Sequence, residues 1–207
     1  GSHFTVHRPA PYGSLSVTSP LPGRHNVQNA LAAIIVATEL GLSDAVICQG
    51  LASFQGVGRR FQLLGSRSFP NGKALIITDY GHHPREIMVT LEACRQVWPE
   101  RRLVHVFQPH RYSRTRDLLP EFTQVLTHSD ALVLLDIYPA GEAPLPGVSS
   151  EALLSTIQQT MPHAQLSTAP GLTETLAPLI TDECILLMQG AGSINQLAHN
   201  LVQEGLS

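Results

Sequence analysis

Lysine is nearly missing. Lys73 is the only one among 13 basic residues, so the positive charge is almost all arginine. No glycine-rich loop is followed by Lys-Ser or Lys-Thr, which excludes a Walker-type phosphate loop in this stretch of chain. Any lysine chemistry would have to come from Lys73, which the pattern places at the start of a strand. The formal net charge of −3 argues against nucleic acid as the main partner. No apolar run is long enough to span a bilayer and no signal-peptide pattern is present, so the reading is of a cytoplasmic chain without a membrane partner. The three cysteines, Cys48, Cys94 and Cys184, lie far apart and form no CxxC pair. They read as core thiols of a reducing compartment. Internal repeats and low-complexity segments are also absent.

What remains is the composition of an ordinary globular chain of 207 residues, enough for one or two domains. Gly1-Ser2-His3 resembles a cleavage scar from an expression tag and is set aside. Phe4 to Leu21 is punctuated by Pro and Gly, with a candidate edge strand at Leu15-Ser16-Val17-Thr18. An apolar stripe from Val27 to Thr38 predicts a helix with Asn26 as N-cap and Gly41 beyond its end. Ser43 begins a second helix ending near Gly56 and Gly58. Gly56 to Phe61 reads as a domain boundary.

Beyond it the pattern changes. Arg60 to Phe69 and Lys73 to Asp79 make a hairpin around Pro70-Asn71-Gly72. Strands then alternate with helices: helix 85–98, strand 103–107, helix 117–126, strand 131–136, helix 150–161 capped by Ser149 or Ser150, strand 165–167, helix 173–180, strand 184–188, and helix 193–203 closed by Gly205. This is an α/β pattern: a Rossmann-like, mostly parallel sheet with one antiparallel edge strand.

Parallel strands send their carboxyl ends to one edge, where open α/β sheets bind ligands. The turns there carry Asp79-Tyr80-Gly81-His82-His83, Gln108-Pro109-His110-Arg111-Tyr112-Ser113-Arg114, Tyr138-Pro139-Ala140-Gly141-Glu142 and Gln189-Gly190-Ala191-Gly192-Ser193. The opposite edge is poorer. Arg111 and Arg114, three apart, face one carboxylate or phosphate if they share a helical turn, and are otherwise two solvated arginines. His82, His83 and His110 offer acid–base, orienting or metal chemistry. Their spacing matches no familiar zinc site, so an orienting or substrate-binding role for one and a packed role for another is the better reading. Asp79 either binds a ribose hydroxyl or a cation's water shell, or caps its turn. Gly190-Ala191-Gly192 is either an anion-binding turn or a close-packed one.

Taken together, Gly23-Arg24-His25-Asn26-Val27-Gln28-Asn29, Gly58-Arg59-Arg60-Phe61, Asp79-Tyr80-Gly81-His82-His83-Pro84, Phe107-Gln108-Pro109-His110-Arg111-Tyr112 and Tyr138-Pro139-Ala140-Gly141-Glu142 resemble the Mur amino-acid ligases of peptidoglycan synthesis, in the branch that adds L-alanine to UDP-N-acetylmuramate. The resemblance runs in order through everything after residue 3. The murein peptide ligases are a weaker match, lacking the Phe-Gln-Pro-His-Arg-Tyr stretch in this form.

The resemblance implies a three-domain enzyme using ATP and magnesium, of which this chain holds two parts. Residues 4–57 would be the end of the P-loop central domain, and 58–207 the amino-acid-binding C-terminal domain. The sugar-nucleotide domain and the phosphate loop would lie elsewhere in the same polypeptide, so the chain alone is expected to be inactive. By the same resemblance, His25, Asn26 and Asn29 sit at the adenine, Arg60 approaches the ATP phosphates, and Asp79 the ribose or a phosphate. Tyr80, His82, Arg111 and Arg114 line the L-alanine pocket, with His110 in support. No metal ligand is assigned to this chain. Two departures stand out: Thr78 replaces a usual Asp, and Ser193 an often acidic residue. The rival readings are a carboxylate-binding α/β module without chemistry and a histidine-based metal hydrolase.

Overall fold

In the computed structural model, which describes residues 1–54 and 56–205, the chain divides into two compact units, residues 1–57 and 58–207. In the first unit, β1 (Ser2–His7) pairs antiparallel with β2 (Ser14–Ser19). Ser2 and His3, set aside above as a tag scar, belong to this strand: Ser2 Oγ donates to the Leu21 carbonyl at 2.8 Å, and His3 Nδ1 lies 2.9 Å from Thr18 Oγ1. β2 alternates exposed and buried residues, so Leu15 and Val17 point one way, onto Ile34 and Ile47 of the helices behind.

Those helices are α1 (Arg24–Glu39) and α2 (Asp44–Ser53). α1 begins earlier than the Asn26 cap predicts. Gly23, at φ 94°, turns the chain into it, and Asn26 sits inside the first turn with its amide donating to the Pro22 carbonyl at 2.7 Å. The far end closes as expected, because Gly41 at φ 77° donates to the Thr38 carbonyl and Leu42 to that of Ala37, a Schellman pair. Ser43 occupies the cap position of α2 without a side-chain cap bond. Cys48 is only half-buried, its thiol donating to the Ser16 carbonyl.

The second unit is a six-stranded sheet in the order β3-β4-β8-β5-β6-β7. β3 (Gln62–Phe69) pairs antiparallel with β4 (Gly72–Asp79) at one edge, and every other pairing is parallel, among β5 (Arg102–Phe107), β6 (Ala131–Leu134), β7 (Gln165–Leu166) and β8 (Asp182–Gln189). The last strand enters between β4 and β5, so those two consecutive strands are not neighbours. Local sequence carries no signal for that insertion.

Adjacent residues of each strand serve opposite faces. Ile77, Leu103, Phe107, Ile185 and Leu187 pack under α3 (Pro84–Val97), α5 (Leu119–Leu126) and α6 (Ser150–Ile157). Ile76, Val104, Val106, Leu186 and Met188 pack under α7 (Leu172–Leu176) and α8 (Ile194–Glu204). Both faces are dry, which accounts for strands that read as continuous apolar runs.

The helix expected over 117–126 is α5, with a second helix ahead of it. α4 (Tyr112–Asp117) comes first, the chain breaks at Leu118, and α5 restarts with Pro120 in its first turn. Proline lacks the N–H that a continuous helix needs but is harmless at a helix start. Cys94 and Cys184 are buried, and burial pushes their thiols up to about 12 and about 11, so they are inert core residues. No helix among the described residues is long and apolar enough to cross a membrane.

Candidate functional site

β4, β8 and β5 end side by side, and their last residues bond across the edge. Asp79 is 6% exposed yet its carboxylate has four donors. Oδ1 accepts from Gly81 N at 2.8 Å, Gln189 Nε2 at 2.8 Å and Thr90 Oγ1 at 3.1 Å, and Oδ2 accepts from Phe61 N at 3.0 Å. A buried carboxylate is tolerated when hydrogen bonds satisfy it in this way. Of the two roles read from sequence, Asp79 fills the turn-capping one and also ties down the 59–61 segment.

Thr78, pointing to the opposite face, donates to Asn195 Oδ1 at 3.2 Å. The Thr-for-Asp departure therefore does not touch Asp79. Gln108 at the end of β5 donates to Ser193 Oγ at 3.2 Å, and its Oε1 accepts the Ile194 N–H at 3.0 Å. The first N–H of α8 is thus capped from within the protein, which favours the close-packed reading of the 190–192 turn over an anion site. A Cβ on Gly192 would stand 2.5 Å from Gln108 Oε1 and 2.6 Å from Tyr138 Cγ.

Further out, aromatic and cationic groups form one cluster. Tyr80 and His82 meet edge-on with ring centroids 5.3 Å apart, and His82 lies 5.5 Å from His110. His110 stacks on Tyr138 at 5.5 Å with 14° between planes, and a parallel bridge pairs these two residues. Arg114 Nη1 donates to the His110 carbonyl at 3.2 Å and lies 3.3 Å from His110 Nδ1. Arg111 starts α4 from φ 74°, held there by its N–H on the Tyr138 carbonyl at 2.9 Å; its side chain is exposed while that of Arg114 is half-buried. A non-glycine residue at such φ costs about 1 kcal/mol or more and persists only when its surroundings fix it.

Glu142 fixes the same turn from the loop after β6, accepting from Ser113 N at 2.9 Å and Ser113 Oγ at 2.5 Å. Those two bonds, ahead of the charge of Arg111, hold its carboxyl below the usual range. The structure thus brings Tyr80, His82, His110, Arg111 and Arg114 to one edge.

Several contributors were not singled out from sequence. Arg59, passed over for its neighbour Arg60, donates through Nη2 to the carbonyls of Gly190 at 3.0 Å and Gly192 at 3.2 Å, and its guanidinium lies 4.6 Å from the Tyr80 ring centre. Arg60 is exposed, 5.4 Å from the same ring. His83 is the N-cap of α3: its Nδ1 accepts from Arg85 N at 3.3 Å, and Glu86 Oε2 accepts from His82 N at 2.9 Å and His83 N at 3.1 Å, a capping box. Serine or threonine three residues before Glu would have signalled the box; histidine does not. His105 is wholly buried beside Gln189, which opposes its shift without hydrogen-bonding it, and burial pushes the imidazole down to about 3, so it is a neutral core residue. In the first unit, His25 and Asn26 are half-buried and Asn29 is exposed on α1.

A doubly wound sheet whose strand ends carry an Arg–His–aromatic cluster defines a ligand-binding α/β domain. Residues 59–192, more than half of the chain, match the "Mur ligase, glutamate ligase domain" family, and residues 1–37 match the "Mur ligase middle domain". The chain belongs to the Mur ligase family. It is 54% identical over 203 residues to the UDP-N-acetylmuramate–L-alanine ligase of Legionella pneumophila strain Corby, covering 98% of this chain and 43% of that protein. The chain thus spans less than half the length of the curated relatives it matches. Among solved structures, the UDP-N-acetylmuramate-alanine ligase of Thermotoga maritima aligns with a TM-score of 0.73 at 27% identity, over 93% of this chain and 40% of that one. The murein peptide ligase of Psychrobacter arcticus aligns with a TM-score of 0.69 at 23% identity, over 98% of this chain and 42% of that one, a likeness of fold alone.

Proposed function

We propose that this chain is part of an ATP-dependent ligase that joins L-alanine to UDP-N-acetylmuramate in peptidoglycan synthesis, and that its second unit holds the amino acid. The observation that carries this is the single cluster of Arg111, Arg114, His110, His82 and Tyr80 at the sheet's carboxyl edge, in a chain 54% identical to ligases of that name. The same identity supports L-alanine ligation over the murein peptide ligase reading. Working on a sugar nucleotide with ATP, such an enzyme belongs in the cytoplasm.

In the reaction, the muramoyl carboxylate oxygen takes the terminal phosphoryl group of ATP to give an acyl phosphate, and ADP leaves. The alanine amine attacks the acyl carbon, inorganic phosphate leaves, and the nitrogen loses a proton as the amide forms. Most of the catalysis available to a protein here is positioning and charge stabilisation. Arginine suits the amino acid's carboxylate because its fork binds both oxygens and leaves the amine free. The Arg114 guanidinium is braced by His110, and the backbone of Arg111 is fixed by the Tyr138 carbonyl, so the turn that carries both is set before substrate arrives.

For the nucleotide, we propose Arg60 toward the phosphates and His25, Asn26 and Asn29 toward the adenine, as the resemblance implies. Asp79 contributes there by fixing the Arg59–Phe61 backbone through Phe61 N. For magnesium, no ligand is proposed on this chain: the described residues include no group of three or more His, Cys, Asp or Glu able to hold a metal, and both Asp79 oxygens already face N–H or O–H donors. No step is assigned to a metal on this chain. The chain alone is expected not to turn over ATP, and phosphate release by it in isolation would refute that.

The deciding assay is phosphate release by the full-length enzyme with UDP-N-acetylmuramate, ATP and magnesium, with and without L-alanine. Alanine-dependent release that collapses in Arg111→Ala is expected. Release unaffected by Arg111→Ala would leave the reaction standing and refute the pocket. No release at all would favour a carboxylate-binding module.

A further inference from the structure

Two imidazoles stand at the proposed pocket, and their partners give their Nδ1 atoms opposite roles. Arginine only donates. With Arg114 Nη1 3.3 Å from His110 Nδ1, that nitrogen must carry a lone pair, so His110 is neutral with its proton on Nε2. A carbonyl only accepts, so His82 Nδ1, 3.1 Å from the Tyr80 carbonyl, must carry a proton.

The charged groups around His110 come from three elements: His82 from the turn after β4, Arg111 and Arg114 at the start of α4, and Glu142 from the loop after β6. Burial first, then His82 and the two arginines, hold its imidazolium form below the usual histidine range, and Glu142 opposes them. All of this keeps Nδ1 free to accept.

We propose that His110 is a positioning residue for the carboxylate-binding guanidinium: as the neutral Nε2–H tautomer it holds Arg114 through Nδ1, and proton uptake by His110 breaks that bond and loosens Arg114. The consequence for L-alanine rests on the function proposed above; the tautomer and the coupling to Arg114 do not. A protonated His110 ring has no acceptor for Arg114 and repels it, leaving only the bond to the His110 carbonyl. The KM for L-alanine therefore rises as the pH falls through the His110 titration, with kcat changing less, because a binding group is loosened rather than a reacting one.

Long-range 1H–15N spectra of the histidine-labelled chain test the first half. His110 should show an unprotonated Nδ1 and a protonated Nε2, His82 a protonated Nδ1, and Arg114→Ala should raise the His110 titration point. A protonated His110 Nδ1, or a titration point that Arg114→Ala leaves in place, would overturn the proposal.

The second half needs the full-length enzyme and two replacements that put an amide oxygen in different places. Asparagine reaches about as far as Nδ1 and glutamine about as far as Nε2. His110→Ala and His110→Gln should raise the KM for L-alanine about tenfold or more, and His110→Asn should recover most of that loss. Recovery by Gln instead, or by neither, would mean that Nδ1 is not the working atom and would overturn the proposal. If wild-type enzyme shows no alanine dependence while the spectra come out as expected, the functional reading fails and the Arg114 coupling stands.

Discussion

The two edges of the six-stranded sheet use polar residues differently. At the amino edge they form partly exposed ion pairs: Arg101 with Glu183 at 2.6 Å, the side chains 35% and 68% exposed, and Arg95 with Asp130 at 2.8 Å, 36% and 39% exposed, with Asp130 also accepting from Leu103 N at 2.7 Å. At the carboxyl edge they place one another. Gln189 and Thr90 hold Asp79, Asp79 holds the backbone of Phe61, Gln108 caps α8, and Glu142 and Tyr138 hold the turn that carries Arg111 and Arg114. Charge count does not separate the edges. The carboxyl edge is distinguished by buried and half-buried side chains linked from several elements into one connected set, which is what a preorganised site requires.

The largest expected effect comes from removing the hub. Asp79→Ala leaves the Phe61 and Gly81 N–H groups and the Gln189 amide without their shared acceptor, inside the protein, while the Thr90 hydroxyl keeps the Glu86 carbonyl at 3.0 Å. The expected loss is about 3 kcal/mol of unfolding free energy. Trp98, the sole tryptophan, stacks against Phe61 with centroids 6.2 Å apart, so its fluorescence in a denaturant titration reports this region. A loss below about 1 kcal/mol would mean that water replaces the carboxylate, and the edge would be less tightly built than its geometry indicates.

Gly190→Ala comes next. Gly190 sits at φ 152°, and a Cβ there would stand 2.7 Å from the Gln108 carbonyl oxygen. Backbone cannot yield as a flexible side chain can, so about 2 kcal/mol should be lost. Because the clash falls on Gln108, the change should also weaken L-alanine binding in the full-length enzyme. A variant destabilised with unchanged alanine KM would separate the packing of this turn from the pocket.

Much of this edge was legible in the sequence. Asp79, Tyr80, His82, His110, Arg111 and Arg114 follow buried strands whose apolar runs are unmistakable, and a parallel sheet carries such turns to one side. What was hidden was pairwise. Arg59 and Arg60 are adjacent and chemically identical, and only the positive φ of Arg59 and Phe61 decides which one turns back onto Gly190 and Gly192. Asp79, Gln189 and Gln108 adjoin only because β8 enters between β4 and β5, a fact of topology with no local signature. α4 was obscured because its six residues, Tyr-Ser-Arg-Thr-Arg-Asp, carry no apolar stripe and are held by Glu142 from a distant loop. His83 as a cap was obscured by residue type.

That cap gives a smaller test. Glu86→Ala removes the acceptor for the His82 and His83 N–H groups and should cost about 1 kcal/mol at neutral pH. Burial alone would raise the Glu86 carboxyl, but those two N–H groups, with His82 and Arg60 nearby, outweigh it and leave it below its ordinary value of 4.5. A depressed folded value stabilises above the unfolded value and is lost as the pH falls through the folded one. The gap between wild type and Glu86→Ala should therefore be widest above about pH 5 and close at lower pH. A gap that stays constant down to pH 3 would mean that the carboxylate charge plays no part in the cap.

The smallest effect belongs to the amino edge. Arg101 and Glu183 make the shorter of the two exposed ion pairs there, and by distance alone theirs would rank among the strongest contacts in the unit. Distance is a poor guide where water screens the charges and both long side chains lose freedom to meet. Exposed pairs of this kind contribute from zero to about 1 kcal/mol. A double-mutant cycle of Arg101→Ala and Glu183→Ala should give a coupling under about 0.5 kcal/mol that fades in about 1 M salt. The same cycle on Ser113→Ala and Glu142→Ala, whose hydroxyl–carboxylate bond is no longer in heavy-atom distance, should give a larger coupling that survives salt, because it is a hydrogen bond fixing a turn and not a screened charge pair. Equal couplings at the two edges would erase the distinction between them.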